Sequence, residues 1–222
     1  MMKYLTKTSI LTAALALSST VGSLNAAILN WGGAIGASNF FSDGTALDDS
    51  VTFELGFFDT ITNPDISNAT QWDADFVTLD SSEYNPQTGF FTGSYDTTTL
   101  TSDNMSLNPP AGTQLYIFAY TERIIGIDTE FALITGTTPG LDSNFIFPDL
   151  DDLTQANLTT EFRVSESDNA IVGRTNDSTG QGSRTDEPLL NASGIQLFTI
   201  PEPSSVMLLF IGATGLLVRR KR

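Results

Sequence analysis

Short apolar stretches recur along residues 27–200, and residues typical of turns separate them. None has the spacing of an amphipathic helix over about 12 residues, so the pattern predicts about ten short strands. They are expected at 27–31, 51–58, 72–79, 89–95, 114–121, 130–135, 144–147, 160–164, 170–174 and 194–200. Such a series is typical of an all-β protein. We expect a single β-sandwich domain, jelly-roll-like, at residues 27–200, with a barrel as the alternative.

Two of these stretches are expected to differ in how many of their faces are buried. Residues 114–120 have apolar side chains at alternating positions on both faces, which predicts a central strand buried on both sides. One face carries Leu115, Ile117 and Ala119, and the other carries Tyr116, Phe118 and Tyr120. Residues 72–76 instead alternate apolar side chains with aspartates. This predicts a strand with one solvent-exposed face, on which Trp72 lies beside Ala74 and Phe76 toward the core.

The first 26 residues have the order of an export signal. Lys3 and Lys7 precede an apolar run at 10–17, and small or polar residues then lead to Ala26 and Ala27. The run is too short to span a bilayer of about 30 Å, and charged residues are absent from positions 8–24. We interpret residues 1–26 as a signal peptide that a signal peptidase removes, rather than as an ordinary amphipathic helix.

The C-terminal segment, residues 201–222, combines a proline-containing spacer, an apolar run and a basic end. The spacer contains Pro201, Glu202 and Pro203, and the run at 206–218 is apolar except for Thr214. We predict a transmembrane helix at 204–218, because a buried core helix, the alternative, rarely ends in four cations. The basic end consists of Arg219, Arg220, Lys221 and Arg222. Because positive charges favour the cytoplasmic side of a membrane, we expect these residues to hold the C-terminus in the cytoplasm.

This arrangement of residues resembles the PEP-CTERM sorting tail of bacteria that export exopolysaccharide. The resemblance covers residues 201–222 and rests on the order Pro-Glu-Pro, apolar helix, arginine-rich end. In that family an integral-membrane cysteine transpeptidase, exosortase, is thought to cut near the Pro-Glu-Pro motif. The resemblance therefore implies that Pro201, Glu202 and Pro203 form a processing signal and that exosortase is a partner. A GPI signal is disfavoured, because such tails end in hydrophobic residues.

The composition excludes several classes of function. The chain of 222 residues contains no cysteine and no histidine. Disulfides, Cys/His zinc sites and nucleophiles activated by histidine are therefore excluded. The formal net charge is −16, and residues 27–200 contain no lysine. Nucleic acid is not an expected partner, because phosphates require a basic surface.

Acidic side chains offer the main candidates for chemistry. Asp149, Asp151 and Asp152, together with Asp142, supply the hard oxygen ligands that calcium prefers. Their spacing is not that of an EF-hand loop, so a solvated acidic loop is the favoured interpretation and no cofactor is expected. Calcium remains the alternative.

A hydrolytic site would need two carboxyl groups about 5–9.5 Å apart beside a sugar cleft. The glutamates nearest predicted strands are Glu54, Glu83, Glu122, Glu130 and Glu161. Because sequence does not show their separation, we predict no catalytic residue, and we interpret Glu122 with Arg123 as a surface ion pair. Aromatic side chains are interpreted as core residues, with stacking on sugar rings as the alternative. They are Trp31, Trp72, Tyr84, Tyr95, Tyr116 and Tyr120.

The sequence thus predicts an exported, non-enzymatic protein with a structural or interaction role. We expect a precursor transiently anchored in the membrane and then processed, with the domain placed at the cell surface or in the extracellular polysaccharide matrix. One alternative is a secreted carbohydrate-binding β-sandwich module that contacts extracellular polysaccharide. A glycoside hydrolase is a further alternative.

Overall fold

A computed structural model of the chain describes residues 27–98, 107–126, 128–137, 144–151, 159–175, 180 and 194–199. The predicted signal peptide at 1–26 and the sorting tail at 201–222, including the helix expected at 204–218, lie outside the described residues. Within the described ranges, every helix is too short or too polar to span a bilayer.

The described residues form mostly β-strands, as predicted. In chain order the strands are β1 Ile28–Gly32, β2 Thr52–Phe58, β3 Phe76–Glu83, β4 Thr92–Asp96, β5 Tyr116–Tyr120, β6 Glu130–Thr135, β7 Thr159–Arg163, β8 Asn169–Val172, β9 Arg174–Thr175, β10 Ile195–Gln196 and β11 Phe198–Thr199. The strand expected at 144–147 is not formed, because only Ile146 makes a β-bridge, to Gln114. The chain is therefore all-β, and most expected strands are shifted by one to three residues.

The strands are arranged in three sheets. The largest has the order β11-β6-β5-β2-β3, with β8 also paired to β6. A second sheet has the order β4-β1-β7, and a two-stranded sheet joins β10 to β9. All described pairs are antiparallel except β1 with β7, which is parallel. The N-terminal strand β1 is thus the central strand of its sheet.

One apolar cluster lies between the largest sheet and the three-stranded sheet. From the largest sheet it includes Phe53 on β2 and Ile117 on β5, both almost completely buried. From the smaller sheet it includes Leu29 and Trp31 on β1 and Phe162 on β7. The alternating residues of β1, β4 and β7 face outward and are mainly polar, which is the pattern of a sheet with one buried face.

The prediction of a central strand at 114–120 is confirmed. Strand β5 pairs with β2 on one side and with β6 on the other. Ile117 and Ala119 belong to the apolar cluster described above, whereas Phe118 and its neighbours belong to a second cluster on the opposite face. Every residue of β5 is buried.

The second face of the largest sheet is covered by a short helical segment that contains Trp72. A 3-10 helix at Ile66–Gln71 leads directly into α1, Trp72–Asp75. The Trp72 ring makes edge contacts with Phe58, Phe118 and Phe131, with ring centroids 5.7, 5.8 and 5.9 Å away. Trp72 is a core residue as expected, but the predicted strand through residues 72–75 is wrong. Ala74 is exposed rather than beside Trp72 in the core.

Local hydrogen bonds explain why this segment is helical. The Asp65 side chain accepts a hydrogen bond from the Ser67 backbone N–H, and the Asn68 side chain accepts one from the Asp65 N–H, which together form a capping box. The Asn68 Oδ1 atom also accepts a hydrogen bond from Trp72 Nε1 at 2.8 Å. These contacts start a helix at Ile66, six residues before the alternation that suggested a strand.

We expect Trp72→Ala to reduce the free energy of unfolding by about 3–5 kcal/mol, because it empties a fully buried aromatic site between three other rings. Urea unfolding followed by circular dichroism measures the loss. The control is Ile124→Ala, since Ile124 is 73% exposed and its truncation should change stability by less than about 0.5 kcal/mol. Equal losses in the two variants would contradict the assigned role of Trp72.

Candidate functional sites

A buried ion pair lies at the edge of the second apolar cluster. Glu54 is on β2 with its side chain only 8% exposed, and Arg123 follows β5 with its side chain 31% exposed. Because Phe53 and Leu55 face the first apolar cluster, the strand alternation directs Glu54 to the opposite face. Because β5 is the neighbour of β2, Arg123 can contact Glu54 on this face of the sheet.

Every side-chain nitrogen of Arg123 and both carboxylate oxygens of Glu54 make hydrogen bonds. Arg123 Nη1 lies 2.6 Å from Glu54 Oε1, and its Nη2 donates to the Phe76 carbonyl at 2.9 Å. Its Nε donates to Asp73 Oδ1 at 3.0 Å. Glu54 also accepts hydrogen bonds from Tyr120 and Thr78 hydroxyls, both at 2.7 Å. The guanidinium thus joins β2, α1 and β3. The expected ion pair of Arg123 with Glu122 is replaced by pairs with Glu54 and Asp73.

The same contacts change the acidity of neighbouring groups. Burial, followed by the hydrogen bond to the Glu54 carboxylate, raises the pKa of Tyr120 to about 12. Burial alone would lower the pKa of Arg123, but the negative charge of Glu54 outweighs it and the pKa is raised. Tyr120 and Arg123 are therefore both fully protonated at neutral pH. The Glu54 carboxylate thus has two protonated donors beside it, which compensate for its burial.

The other candidate glutamates lie on separate elements. Glu130 is on β6 and accepts hydrogen bonds from Ser42. Glu161 is on β7, in the three-stranded sheet, and pairs with Arg163. The structure thus distributes three of the five candidate glutamates over β2, β6 and β7, each with its own hydrogen-bond donors. Glu83 ends β3, and Glu122 is exposed after β5.

The aromatic candidates for sugar stacking are buried. Trp31, Trp72, Tyr84, Tyr95, Tyr116 and Tyr120 are each 9% exposed or less. The interpretation of these residues as core is confirmed. Among the aspartates of the proposed calcium loop, Asp149 accepts a hydrogen bond from the Asp151 backbone N–H at 3.0 Å, whereas Asp142 and Asp152 lie outside the described residues. No group of three acidic side chains suited to a metal ion occurs in the part of the chain that the structure describes.

The last described segment, residues 194–199, is held on two sides. On one side the Phe40 N–H donates to the Ile195 carbonyl, and the Leu197 N–H donates to the Phe40 carbonyl, both at 2.9 Å. On the other side β10 pairs with β9 and β11 pairs with β6. The Phe198 ring packs against Phe131 at a centroid distance of 5.9 Å. Residues 194–198 are therefore buried, and Thr199, the final described residue, is half-buried on the edge strand β11.

A cluster of three side chains fixes the end of β11, and we call Ser42, Glu130 and Thr199 the terminal clamp. Ser42 Oγ donates to Glu130 Oε1 at 2.5 Å, and the Ser42 N–H donates to Glu130 Oε2 at 2.9 Å. Ser42 Oγ and Thr199 Oγ1 are 2.8 Å apart. Thr199 Oγ1 also lies 3.4 Å from Glu130 Oε1. Three distant parts of the sequence thus meet at Thr199, two residues before Pro201.

Residues 199–222 match the family model of the PEP-CTERM protein-sorting motif. The chain carries a PEP-CTERM sorting motif. A comparison with curated proteins and a comparison with solved structures found no match. The motif implies an exported protein, a membrane-anchored precursor and an exosortase that recognises the tail. The PEP-CTERM match begins at Thr199, so the sorting motif and the terminal clamp share one residue.

The tail residues themselves lie outside the described residues, so their predicted roles stay predictions. This applies to the processing motif Pro201, Glu202 and Pro203 and to the basic end Arg219, Arg220, Lys221 and Arg222. Sequence reasoning missed the terminal clamp and the contacts of Arg123. The only sequence signal for the Arg123 contacts is the scarcity of cations, because residues 27–200 contain four arginines and 25 acidic residues.

We expect Arg123→Met to reduce the free energy of unfolding by about 3 kcal/mol, because the Glu54 carboxylate would remain buried without its cation. This is the lower end of the range for such losses, since Arg123 is partly exposed to solvent. Arg163→Met is the control, because Arg163 is 57% exposed and its ion pair should contribute about 0–1 kcal/mol. Urea titration of both variants tests the difference, which should disappear if Arg123 is only a surface residue.

Tyr120 should make stability depend on pH in the alkaline range. The unfolded chain loses the tyrosine proton near the ordinary pKa of 10, whereas the native state retains it to about pH 12. The contribution of Tyr120 to the free energy of unfolding should therefore be constant below about pH 10 and fall as the pH rises to 12. Urea unfolding at pH 9 to 12 should give a shallower decline for Tyr120→Phe than for the wild type. Tyr95 and Tyr116, whose pKa values burial also raises, contribute to both proteins alike. Parallel declines would contradict the assignment.

Proposed function

We propose that residues 27–200 are a non-enzymatic β-sandwich domain that exosortase processing places at the cell surface or in the extracellular matrix. The single observation that carries this proposal is the PEP-CTERM motif at 199–222, which begins at Thr199 within β11, the last described strand. Nothing but Ile200 separates β11 from Pro201. The sequence order is therefore a folded body, a processing signal and a membrane anchor.

The sheet arrangement supports the sandwich part of the proposal. The largest sheet and the three-stranded sheet contribute to one apolar cluster, in which Leu29 and Phe162 of the smaller sheet join Phe53 and Ile117 of the larger. Two sheets that pack face to face around one core are the general plan of a β-sandwich. Here the outer face of the three-stranded sheet is mainly polar, whereas that of the largest sheet is covered by the helical segment with Trp72.

The charge distribution is compatible with a non-enzymatic role outside the cell, because a strongly acidic surface keeps a protein soluble. Residues 27–200 carry 25 acidic side chains and four arginines, of which Arg123 is committed to Glu54 and Asp73. Such a surface repels other acidic polymers and keeps the body soluble and monomeric. The candidate glutamates Glu54, Glu130 and Glu161 are each engaged by protein donors, which argues against a free pair for glycoside hydrolysis.

A carbohydrate-binding role is a second candidate, and a polar groove favours it. The groove has a volume of ≈ 460 Å³ and lies at one end of the three-stranded sheet. Its lining includes Asn30, Thr92, Glu161 and Arg163. In the pairing register Asn30 lies opposite Glu161, so an amide, a hydroxyl and an ion pair face the same space. Such groups are suited to hydrogen bonding with sugar hydroxyls. Because the aromatic candidates are buried, any affinity would come from these polar groups rather than from ring stacking.

Intact-mass spectrometry of the protein from its native cells tests the processing role. We expect a mass that begins near Ala27 and ends before the apolar run at 206–218. Replacement of Pro201, Glu202 and Pro203 by alanine should leave the tail uncut and retain the protein in the membrane fraction. A control replaces Pro109 and Pro110, which lie outside the sorting motif, and should not change processing. A wild-type mass that includes Arg222 would overturn the proposal.

A glycan array tests the second candidate, with the processed protein applied in calcium and in chelator. Binding through the groove should be lost in Asn30→Ala and retained in Ser81→Ala, an exposed position on β3 in the other sheet. If no glycan is retained in either buffer, the carbohydrate-binding candidate is wrong.

A further inference from the structure

The folded body ends very close to the predicted processing site. Thr199 is paired with Glu130 in the sheet, and Pro201 follows after one residue. Since a residue spans at most about 3.6 Å, the Pro201 Cα lies within about 7 Å of the Thr199 Cα. The apolar run begins at Val206, within about 25 Å. An enzyme that acts near the motif must therefore work in the short interval between the body and the membrane.

The residues just upstream of Pro201 already make main-chain hydrogen bonds to other parts of the protein in the native state. Enzymes that bind extended peptides commonly form main-chain hydrogen bonds like those of an added β-strand. The main chain of β11 pairs with β6, and that of Leu197 pairs with Phe40. Ile195, Leu197 and Phe198 are also buried. A transpeptidase cannot bind this part of the chain while it remains in the sheet.

We propose that the terminal clamp limits the rate of tail processing, and this inference rests on the function proposed above. The transpeptidase reaches the residues upstream of Pro201 only when Thr199 and Phe198 leave β6. In the reaction, the enzyme thiolate attacks a peptide carbonyl carbon near the motif and the C–N bond breaks. The downstream amine leaves with a proton, and water or an acceptor nucleophile then releases the acyl group from the thioester. Ser42 and Glu130 are positioning residues, because they act on this reaction through Thr199.

The clamp residues differ in how well their replacement separates an effect on the clamp from an effect on recognition of the tail. Thr199 lies inside the motif match, so its replacement would also alter the recognised segment. Ser42 lies far from the motif in the sequence, yet its hydroxyl contacts both Glu130 and Thr199. Ser42→Ala removes these contacts and leaves the tail unchanged. A hydrogen bond of ordinary net strength changes an opening equilibrium on the order of two- to tenfold, so processing should accelerate by that factor.

The experiment follows the full-length precursor by pulse-chase in native cells, with mass spectrometry to separate removal of the signal peptide from removal of the tail. Ser42→Ala is compared with Ser50→Ala, whose hydroxyl donates to Asp48 in an exposed loop. A third variant inserts six glycine and serine residues between Ile200 and Pro201. The linker moves the motif up to about 20 Å further from the clamp. A fourth combines the linker with Ser42→Ala.

We expect Ser42→Ala and the linker variant each to be processed faster than the wild type, and Ser50→Ala to be processed at the wild-type rate. In the linker variant, adding Ser42→Ala should not raise the processing rate further. A substitution that acted through a general loss of stability would still raise it. The inference is overturned if Ser42→Ala is processed at the wild-type rate, or if the linker slows processing. If alanine replacement of residues 201–203 leaves processing intact, the proposed function fails first and the inference fails with it.

Discussion

The structure depends on a central sheet that has to be covered on both faces. Strand β5 lies between β2 and β6 and has no solvent-exposed residue. One of its faces packs against the three-stranded sheet, and the other packs against the aromatic cluster under Trp72. Because a sheet of this composition has no face suited to water, the smaller sheet and the helical segment are both necessary parts of the core.

The ion pair of Arg123 and Glu54 follows from the same constraint. The second face of the sheet is largely aromatic, so a carboxylate on β2 at its edge needs compensation from several donors. The guanidinium supplies it and at the same time links the helical segment to the sheet through Asp73 and Phe76. Arg123 is one of only four arginines in residues 27–200, and its hydrogen bonds hold the helical segment against the sheet.

Strands with a clear two-residue period could be predicted from the sequence. Strand β6 matches its expected bounds, and both faces of β5 were assigned correctly. The helix at Trp72 was missed because five alternating residues are compatible with a strand, and only the capping contacts of Asp65 and Asn68 decide otherwise. The sorting motif was readable because its parts are contiguous.

Contacts between distant residues were not readable from the sequence in the same way. Arg123 and Glu54 are 69 positions apart, and Ser42 and Thr199 are 157 apart. No local pattern pairs such residues, since their meeting depends on strand order. The terminal clamp was missed for this reason, although the adjoining motif was found.

The parallel pairing of β1 with β7 has a consequence for how the chain acquires its structure. Strand β1 needs Thr159–Arg163 as a neighbour, and the loop near Phe40 needs residues 195–197. Contacts of such wide sequence separation form slowly, because long loops must close first. A chain exported from its N-terminus therefore cannot complete the pairing of β1 until residues 159–163 have emerged.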